Sequence, residues 1–252
     1  MQAGCDPRLL PLLSPAAASI KFKASILTGG MGMFRWLRRA PAGPTEQQLH
    51  VNQALSDYPP YAPPEWNGDS PVETSTTYRE FFLSSKDTRL EALRGFLGKF
   101  DMSMNLDDAG LMAVSTWLPL YADLLVDDLD DDTVEDAYRA FTLPWTGTLG
   151  GLNPIFDLGI YFAECLWYRR TKLEWIVYRA PDRGSAKHIV SGVPQRVFDP
   201  MHWMYVECRN IRNAKRLKQK RVPLYDDPFL RSDSFYGCVL SHTPPGRRSR
   251  KR

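Results

Sequence analysis

Two carboxylates within one apolar stretch are the residues best placed to do chemistry in this chain. Asp157 and Glu164 lie in the run 153–168, where most other side chains are hydrophobic. Seven residues separate them, which is two helical turns and puts both on the same face of a helix. Such a pair can supply the general acid and base of a hydrolase, or can bind a cation.

A structural role explains the same two carboxylates with fewer assumptions. Burial of an unpaired carboxylate is costly, so Glu164 should be paired, protonated or at the edge of a cleft. Asp157 then completes the first turn of a helix, where the helix dipole favours a negative charge, and Glu164 pairs with an arginine from another element. We favour this interpretation, because structural ion pairs perturb carboxylates as catalytic sites do, and we assign no catalytic residue.

The apolar run itself predicts a buried helix over 154–168 around which the domain is built. Asn153 is a good N-cap, and Pro154 suits the first helical position. A helix that is apolar on nearly every face is normally buried. The run is shorter than the roughly 20 apolar residues that span a bilayer, so no transmembrane segment is predicted.

The histidines and cysteines form no recognisable catalytic or metal-binding motif. His202 and Cys208 are six apart on a predicted helix and face different ways. The glycines of 143–152 lack a phosphate-binding pattern and indicate chain flexibility. We therefore predict no metal and no cofactor. The widely spaced cysteines favour a reducing, cytoplasmic compartment.

The composition is that of an ordinary globular protein, with 252 residues of which 43% are hydrophobic and 24% charged. The formal charge of +3 comes from the two ends, because the final hexapeptide is almost entirely basic. The body is mildly acidic, which argues against a nucleic-acid-binding core.

Three regions follow from this pattern. Residues 1–44 are expected to be a disordered extension, or the product of a start site placed too far upstream, with Met31 or Met33 as the true start. A weak export or membrane-surface signal is the alternative. Residues 45–217 are expected to form one globular domain, and 218–252 a basic, largely disordered tail.

Within the domain the fold class is mainly helical α+β. Apolar spacing and capping signals predict helices over 46–55, 72–83, 87–100, 107–126 and 133–141, and a small antiparallel hairpin near 173–190. Ser84 with Asp87, and Asp132 with Glu135, resemble capping boxes. Asp199 and Pro200 mark the start of a further helix.

Residues 57–68, here called the aromatic–proline segment, combine four prolines with Tyr61 and Trp66. The prolines exclude a helix. The aromatic side chains favour packing across the domain surface over a role as ligand for a proline-recognising module. Tyr61 and Trp66 remain candidate binding residues.

Two charged stretches have several interpretations. The acidic run 127–132 lacks the spacing and the glycine of a calcium loop, so a solvated loop is favoured, with docking of a basic partner as the alternative. The basic helix end 209–221 contains Arg209, Arg212 and Arg216. These cations can offset the helix dipole, pair with acids of the body, or bind phosphates together with the tail.

The segments 58–64, 89–90, 115–118 and 157–164, followed by Trp175, resemble an uncharacterised bacterial family, some of whose members are similar to toxin-immunity proteins. The resemblance covers roughly residues 45–215, although Ala163 stands where a glycine is expected and the basic C-terminus falls outside the pattern. It implies one cytoplasmic fold without known chemistry.

The sequence therefore predicts a non-enzymatic module that binds another protein and is immunity-like in character. Nucleic-acid or anionic-surface binding through the basic C-terminus is the second hypothesis. A hydrolase that uses Glu164 and Asp157 is the third.

Overall fold

A computed structural model describes residues 43–63, 71–169, 173–179, 186–191, 198–219 and 228–241. All but Gly43 and Pro44 belong to one compact unit that begins at Thr45. Within these ranges the fold is mainly helical, with seven α-helices and one two-stranded antiparallel sheet. None of the described helices combines the length and apolar character needed to cross a membrane.

Helix α5 (Leu152–Arg169) lies at the centre, as the sequence predicted, and every residue from Leu152 to Ala163 is buried. The assignment of Asn153 as its N-cap was wrong. The helix starts at Leu152, and Asn153 accepts a hydrogen bond from the Tyr61 backbone N–H at 2.7 Å. Its amide nitrogen donates to the carbonyls of Trp145 and Gly150, so this side chain joins three segments.

Helix α1 (Glu46–Leu55) matches its predicted range. Helix α2 (Pro71–Gly98) replaces the two helices predicted over 72–83 and 87–100. The expected break is absent because no Gly or Pro interrupts 84–87. The Ser84 and Ser85 hydroxyls donate to carbonyls three residues earlier instead of capping a new helix. One long helix thus spans much of the core.

Helices α3 (Asp108–Tyr121) and α4 (Asp132–Arg139) are both capped by aspartate. Asp107 accepts from the Gly110 N–H. The residue that caps α4 is Asp131, which accepts from the Thr133 N–H at 2.8 Å, and not Asp132 as predicted. Helix α3 continues past Pro119 and ends at Tyr121, where a short 3-10 turn follows, so the prediction over 107–126 was several residues too long.

Strands β1 (Glu174–Arg179) and β2 (Ala186–Ser191) form the predicted hairpin. Their register pairs Val177 with His188. Trp175 packs against Phe82 of α2 and Trp167 of α5, with ring centroids 5.0 and 5.5 Å apart. The buried face of the hairpin is thereby fixed on both long helices.

Helix α6 (Pro200–Gln219) begins at the predicted Asp199–Pro200 pair, and Asp199 accepts from the His202 N–H. Helix α7 (Ser234–Ser241) follows, with Phe235 and Val239 buried. The Tyr236 N–H donates to the Ser115 hydroxyl of α3. Helix α7 is therefore part of the packed core, and the prediction that the domain ends at residue 217 was wrong for 234–241.

Candidate functional site

Asp157 forms a bidentate ion pair with Arg89 in the protein interior. Asp157 is 0% exposed, and the Arg89 Nε and Nη2 atoms lie 3.0 and 2.6 Å from its two oxygens. The Tyr58 hydroxyl donates to the same carboxylate at 2.5 Å. Helix α2 supplies the arginine and α5 the carboxylate, so the pair joins the two long helices. No substrate can reach a carboxylate that is enclosed in this way.

The electrostatics of this pair keep both partners charged at neutral pH. Burial raises the pKa of the Asp157 carboxyl to about 6, opposed by Arg89 and Tyr58. Burial alone would lower the pKa of Arg89, but the carboxylate outweighs it and the net direction is upward. Burial also raises the pKa of Tyr58 well above its usual value, so this phenol stays a proton donor.

Glu164 was expected to pair with an arginine, but this prediction was wrong. Its partner is Lys86. The Lys86 Nζ lies 3.2 Å from Glu164 Oε1, and the Glu164 side chain is 16% exposed. The arginine of α2 pairs with Asp157 instead. The Arg89 side chain is 7% exposed and so lies deeper in the protein than that of Lys86, which is 23% exposed. Each carboxylate therefore has its own cation.

The aromatic–proline segment packs on the domain, which confirms the favoured interpretation for its described part. Tyr61 is 1% exposed, and its ring lies 4.8 Å from Phe156. Arg89 donates to the Pro59 carbonyl at 2.8 Å, in addition to binding Asp157. Trp66, the other candidate binding residue here, lies outside the described residues.

A chain of three polar side chains runs from Tyr61 into the core. The Tyr61 and Tyr78 hydroxyls are 3.1 Å apart, and the Tyr78 hydroxyl lies 2.5 Å from His188 Nε2. His188 is buried among the rings of Phe82, Phe141 and Phe156, with centroids 4.8 to 5.4 Å away. Sequence reasoning missed this cluster because its polar members come from three separate segments, namely the aromatic–proline segment, α2 and β2.

A small cavity of about 30 Å³ opens beside His188. Its outer side is lined by Arg139 and His202, which are exposed, and its inner side by His188. Space of this size holds one or two waters, since roughly 10–15 Å³ suffices for one. Phe141, which also lines it, has a φ of 57° that non-glycine residues rarely adopt.

The basic end of α6 pairs with acids of residues 123–136, here called the acidic stretch, which confirms the second of its three interpretations. Arg209 binds Glu135 at 2.7 Å, Arg212 binds Asp128 at 3.1 Å, and Arg216 binds Asp130 at 2.5 Å. These contacts occupy three of the cations on which the phosphate-binding hypothesis draws.

The acidic stretch is consequently two-sided. Its inward members contact α6, whereas Asp127, Asp132 and Asp136 are exposed. No lysine or arginine of the described ranges forms an ion pair with these three carboxylates. Leu129 is fully buried between them, and its carbonyl accepts from the Tyr205 hydroxyl at 2.8 Å. The outward carboxylates therefore stand on an anchored segment.

Cys165 and Cys208 are buried free thiols. Burial raises the pKa of Cys165 to about 12 and that of Cys208 further. A nucleophilic role needs the thiolate, so neither thiol is suited to catalysis. In the portion of the chain that the structure covers, no three His, Cys, Asp or Glu side chains converge as a metal site would require.

Comparison with known proteins adds no family or fold assignment, because no family model, no curated protein and no solved structure matches the chain.

Proposed function

We propose that this chain is a non-enzymatic, cytoplasmic module of bacterial origin that binds a basic protein partner, in the manner that the immunity-like resemblance implies. The observation that carries the proposal is the outward side of the acidic stretch. Asp127, Asp132 and Asp136 are exposed there, and no cation of the described residues neutralises them. We call these three residues the acidic face.

The acidic face is fixed in place before any partner arrives. Ion pairs of Asp128, Asp130 and Glu135 with α6 hold it from behind. Buried Leu129 anchors the turn in the core. A surface that is already ordered loses little conformational entropy on binding, which favours affinity.

Its charge also suits recognition of a basic surface. Like-signed carboxylates steer an oppositely charged partner to the encounter and repel acidic competitors. This steering weakens as salt is added, because the Debye length falls to roughly 8 Å at 0.15 M ionic strength.

The other two hypotheses have less support. Nucleic-acid binding would draw on the basic end 209–221, where Arg209, Arg212 and Arg216 are engaged by acids of the same chain. The part of the basic C-terminus at 247–252 lies outside the described residues. A hydrolase would need solvent access to Asp157, which is fully enclosed.

The test is affinity capture from a lysate of the organism that encodes the chain, with mass spectrometry of bound proteins and nuclease treatment throughout. The wild-type protein is compared with the triple variant Asp127→Asn, Asp132→Asn and Asp136→Asn. Asp131 is left intact because it caps α4. We expect a discrete basic protein that the wild type retains and the triple variant loses.

A matched control carries the same change of charge elsewhere. Glu46→Gln, Glu80→Gln and Asp101→Asn neutralise three exposed acids outside the acidic face. This control should capture the partner as the wild type does. If both variants lose the partner equally, the loss is due to the change in net charge and not to the acidic face. If the triple variant still captures the partner, the acidic face is not the binding surface.

A further inference from the structure

The outer edge of strand β1 is a surface that the binding hypothesis does not use. The described sheet consists of β1 and β2, so within it β1 is paired along one edge and β2 lies on that side. A strand edge with unpaired N–H and C=O groups is a template for pairing with another strand. The hydrogen bonds of the hairpin show which groups of β1 point to the outer edge.

The orientation of the β1 backbone follows from Val190 of β2. The Val190 N–H donates to the Phe198 carbonyl at 2.8 Å and therefore points away from β1. Residues of an antiparallel ladder alternate between hydrogen-bonded and non-hydrogen-bonded pairs, so Trp175, which is opposite Val190, is in a non-hydrogen-bonded pair. The N–H and C=O groups of Trp175 and Val177 consequently point to the outer edge, whereas those of Ile176 face β2.

These outward groups have no partner in the part of the chain that the structure describes. No backbone hydrogen bond outside the hairpin involves Trp175 or Val177. The strand also lacks the features that usually protect an edge, since residues 174–179 include no proline, glycine or lysine and their register with β2 contains no bulge. One acid and one base leave the strand without net charge, so a second copy of it is not repelled.

Ile176 places an apolar side chain beside this edge. It lies in the middle of β1 and is 41% exposed, whereas Trp175 and Val177 are buried on the opposite face of the hairpin. In an antiparallel pair of two β1 strands centred on Ile176, the two isoleucines lie directly opposite each other. Trp175 of each copy is then opposite Val177 of the other, so the outward backbone groups of both residues gain partners.

We propose that the outer edge of β1 binds β1 of a second copy of this chain, antiparallel and about a two-fold axis at Ile176, to give a four-stranded sheet. The pairing stops at two copies, because the outer edge of β2 is occupied at Val190 by Phe198. A single strand pair is a small interface compared with the roughly 1,200–2,000 Å² of stable complexes. The dimer therefore forms at high protein concentration and dissociates on dilution.

The first test is amide hydrogen exchange of the full-length wild-type protein, measured by NMR over a series of protein concentrations. We expect the amides of Trp175 and Val177 to become more strongly protected as the concentration rises, because their N–H groups then bind the second copy. The Ile176 amide faces β2 and should be protected throughout the series. Exchange of Trp175 and Val177 that does not depend on concentration would overturn the proposal.

A cysteine at the two-fold axis tests the register. Opposed residues of a non-hydrogen-bonded pair have Cα atoms about 4.5 Å apart, which a disulfide can bridge. Under mild oxidation, Ile176→Cys should give disulfide-linked dimers at least about tenfold faster than Leu49→Cys, because pairing holds the two thiols together. Leu49 is a matched control, since it is 55% exposed on α1. The wild type measures the background from the native thiols, and equal rates for the two variants would refute this register.

A charge at the same position tests whether β1 is the surface of association. Ile176→Lys places two like charges opposite each other and should abolish the concentration-dependent dimer in analytical ultracentrifugation. Leu49→Lys adds the same charge on α1 and should dimerise as the wild type does. A wild-type chain that stays monomeric at every concentration would contradict the proposal, and so would a dimer that persists in Ile176→Lys.

Discussion

Gly159 of α5 lies directly against Met201 of α6. A Cβ atom built on Gly159 would be 2.7 Å from the Met201 Cα, a distance that backbone atoms cannot relieve without moving the helix. The two helices that form the centre of the domain therefore approach as closely as they do because one residue has no side chain.

Gly159→Ala should accordingly destabilise the protein, although alanine is the better helix former. We expect a loss of about 1–3 kcal/mol in the free energy of unfolding, the usual cost of overpacking, measured by urea denaturation. Gly95→Ala in α2 is the control, since nothing lies within 4 Å of its added methyl group. That substitution should stabilise by up to about 1 kcal/mol, and equal effects of the two would contradict the close approach.

Asp157→Asn should be much more harmful than Glu164→Gln. The first leaves the buried Arg89 guanidinium without a counter-charge, which costs about 3–5 kcal/mol. The second breaks a partly exposed pair with Lys86, worth at most about 1 kcal/mol. Chemical denaturation of the two variants checks this order. Comparable losses would mean that the interior pair contributes no more than a surface one.

Asn153→Ala should loosen the aromatic–proline segment as well as the fold. It removes the acceptor of the Tyr61 N–H and the donor to the Trp145 carbonyl, both buried. Unsatisfied buried polar groups cost about 1–3 kcal/mol each. Limited proteolysis should cut near 57–63 faster in the variant. Asn52→Ala, on the exposed side of α1, serves as control and should leave the cleavage rate unchanged.

Thiol labelling should separate the cysteines by burial. In the folded protein Cys165 and Cys208 should react with a thiol reagent at least about a hundredfold more slowly than after unfolding, because burial both encloses them and raises the pKa of each thiol. Of these three described thiols, Cys238 is the partly exposed one and should react first. Mass spectrometry identifies the labelled residue, and early labelling of Cys165 would be incompatible with the packing of α5.

Local signals predicted much of this fold. The apolar run identified α5, the segment 173–178 identified β1 by its strand-forming residues, and Asp199–Pro200 identified the start of α6, because each is set by neighbours in sequence. The prediction of the α5 N-cap was wrong because the side chain assigned to the cap binds a residue that is distant in sequence. Asn153 looked like a cap and instead binds Tyr61, a residue that is 92 positions away.

The same limit applies to the site. The apolar run indicated that Glu164 needed a partner, but Asp157 was assigned to the first turn of α5, which was wrong because the helix starts at Leu152. Nothing near Asp157 in the sequence pointed to Arg89, 68 residues away. The link from Tyr78 to His188 spans 110 residues, and neither residue stands in an unusual local pattern. Helix α7 was missed because its short apolar run lies within a longer basic, proline-containing stretch that is typical of a tail.

The pairing of α6 with the acidic stretch has a consequence for biosynthesis. Its contacts join residues 74 to 92 positions apart, and the acidic members leave the ribosome first. Until α6 follows, the nascent chain presents closely spaced carboxylates that repel one another and keep that stretch extended in water. Completion of the basic helix supplies the counter-charges, so the acidic stretch can form these ion pairs only after α6 has been made.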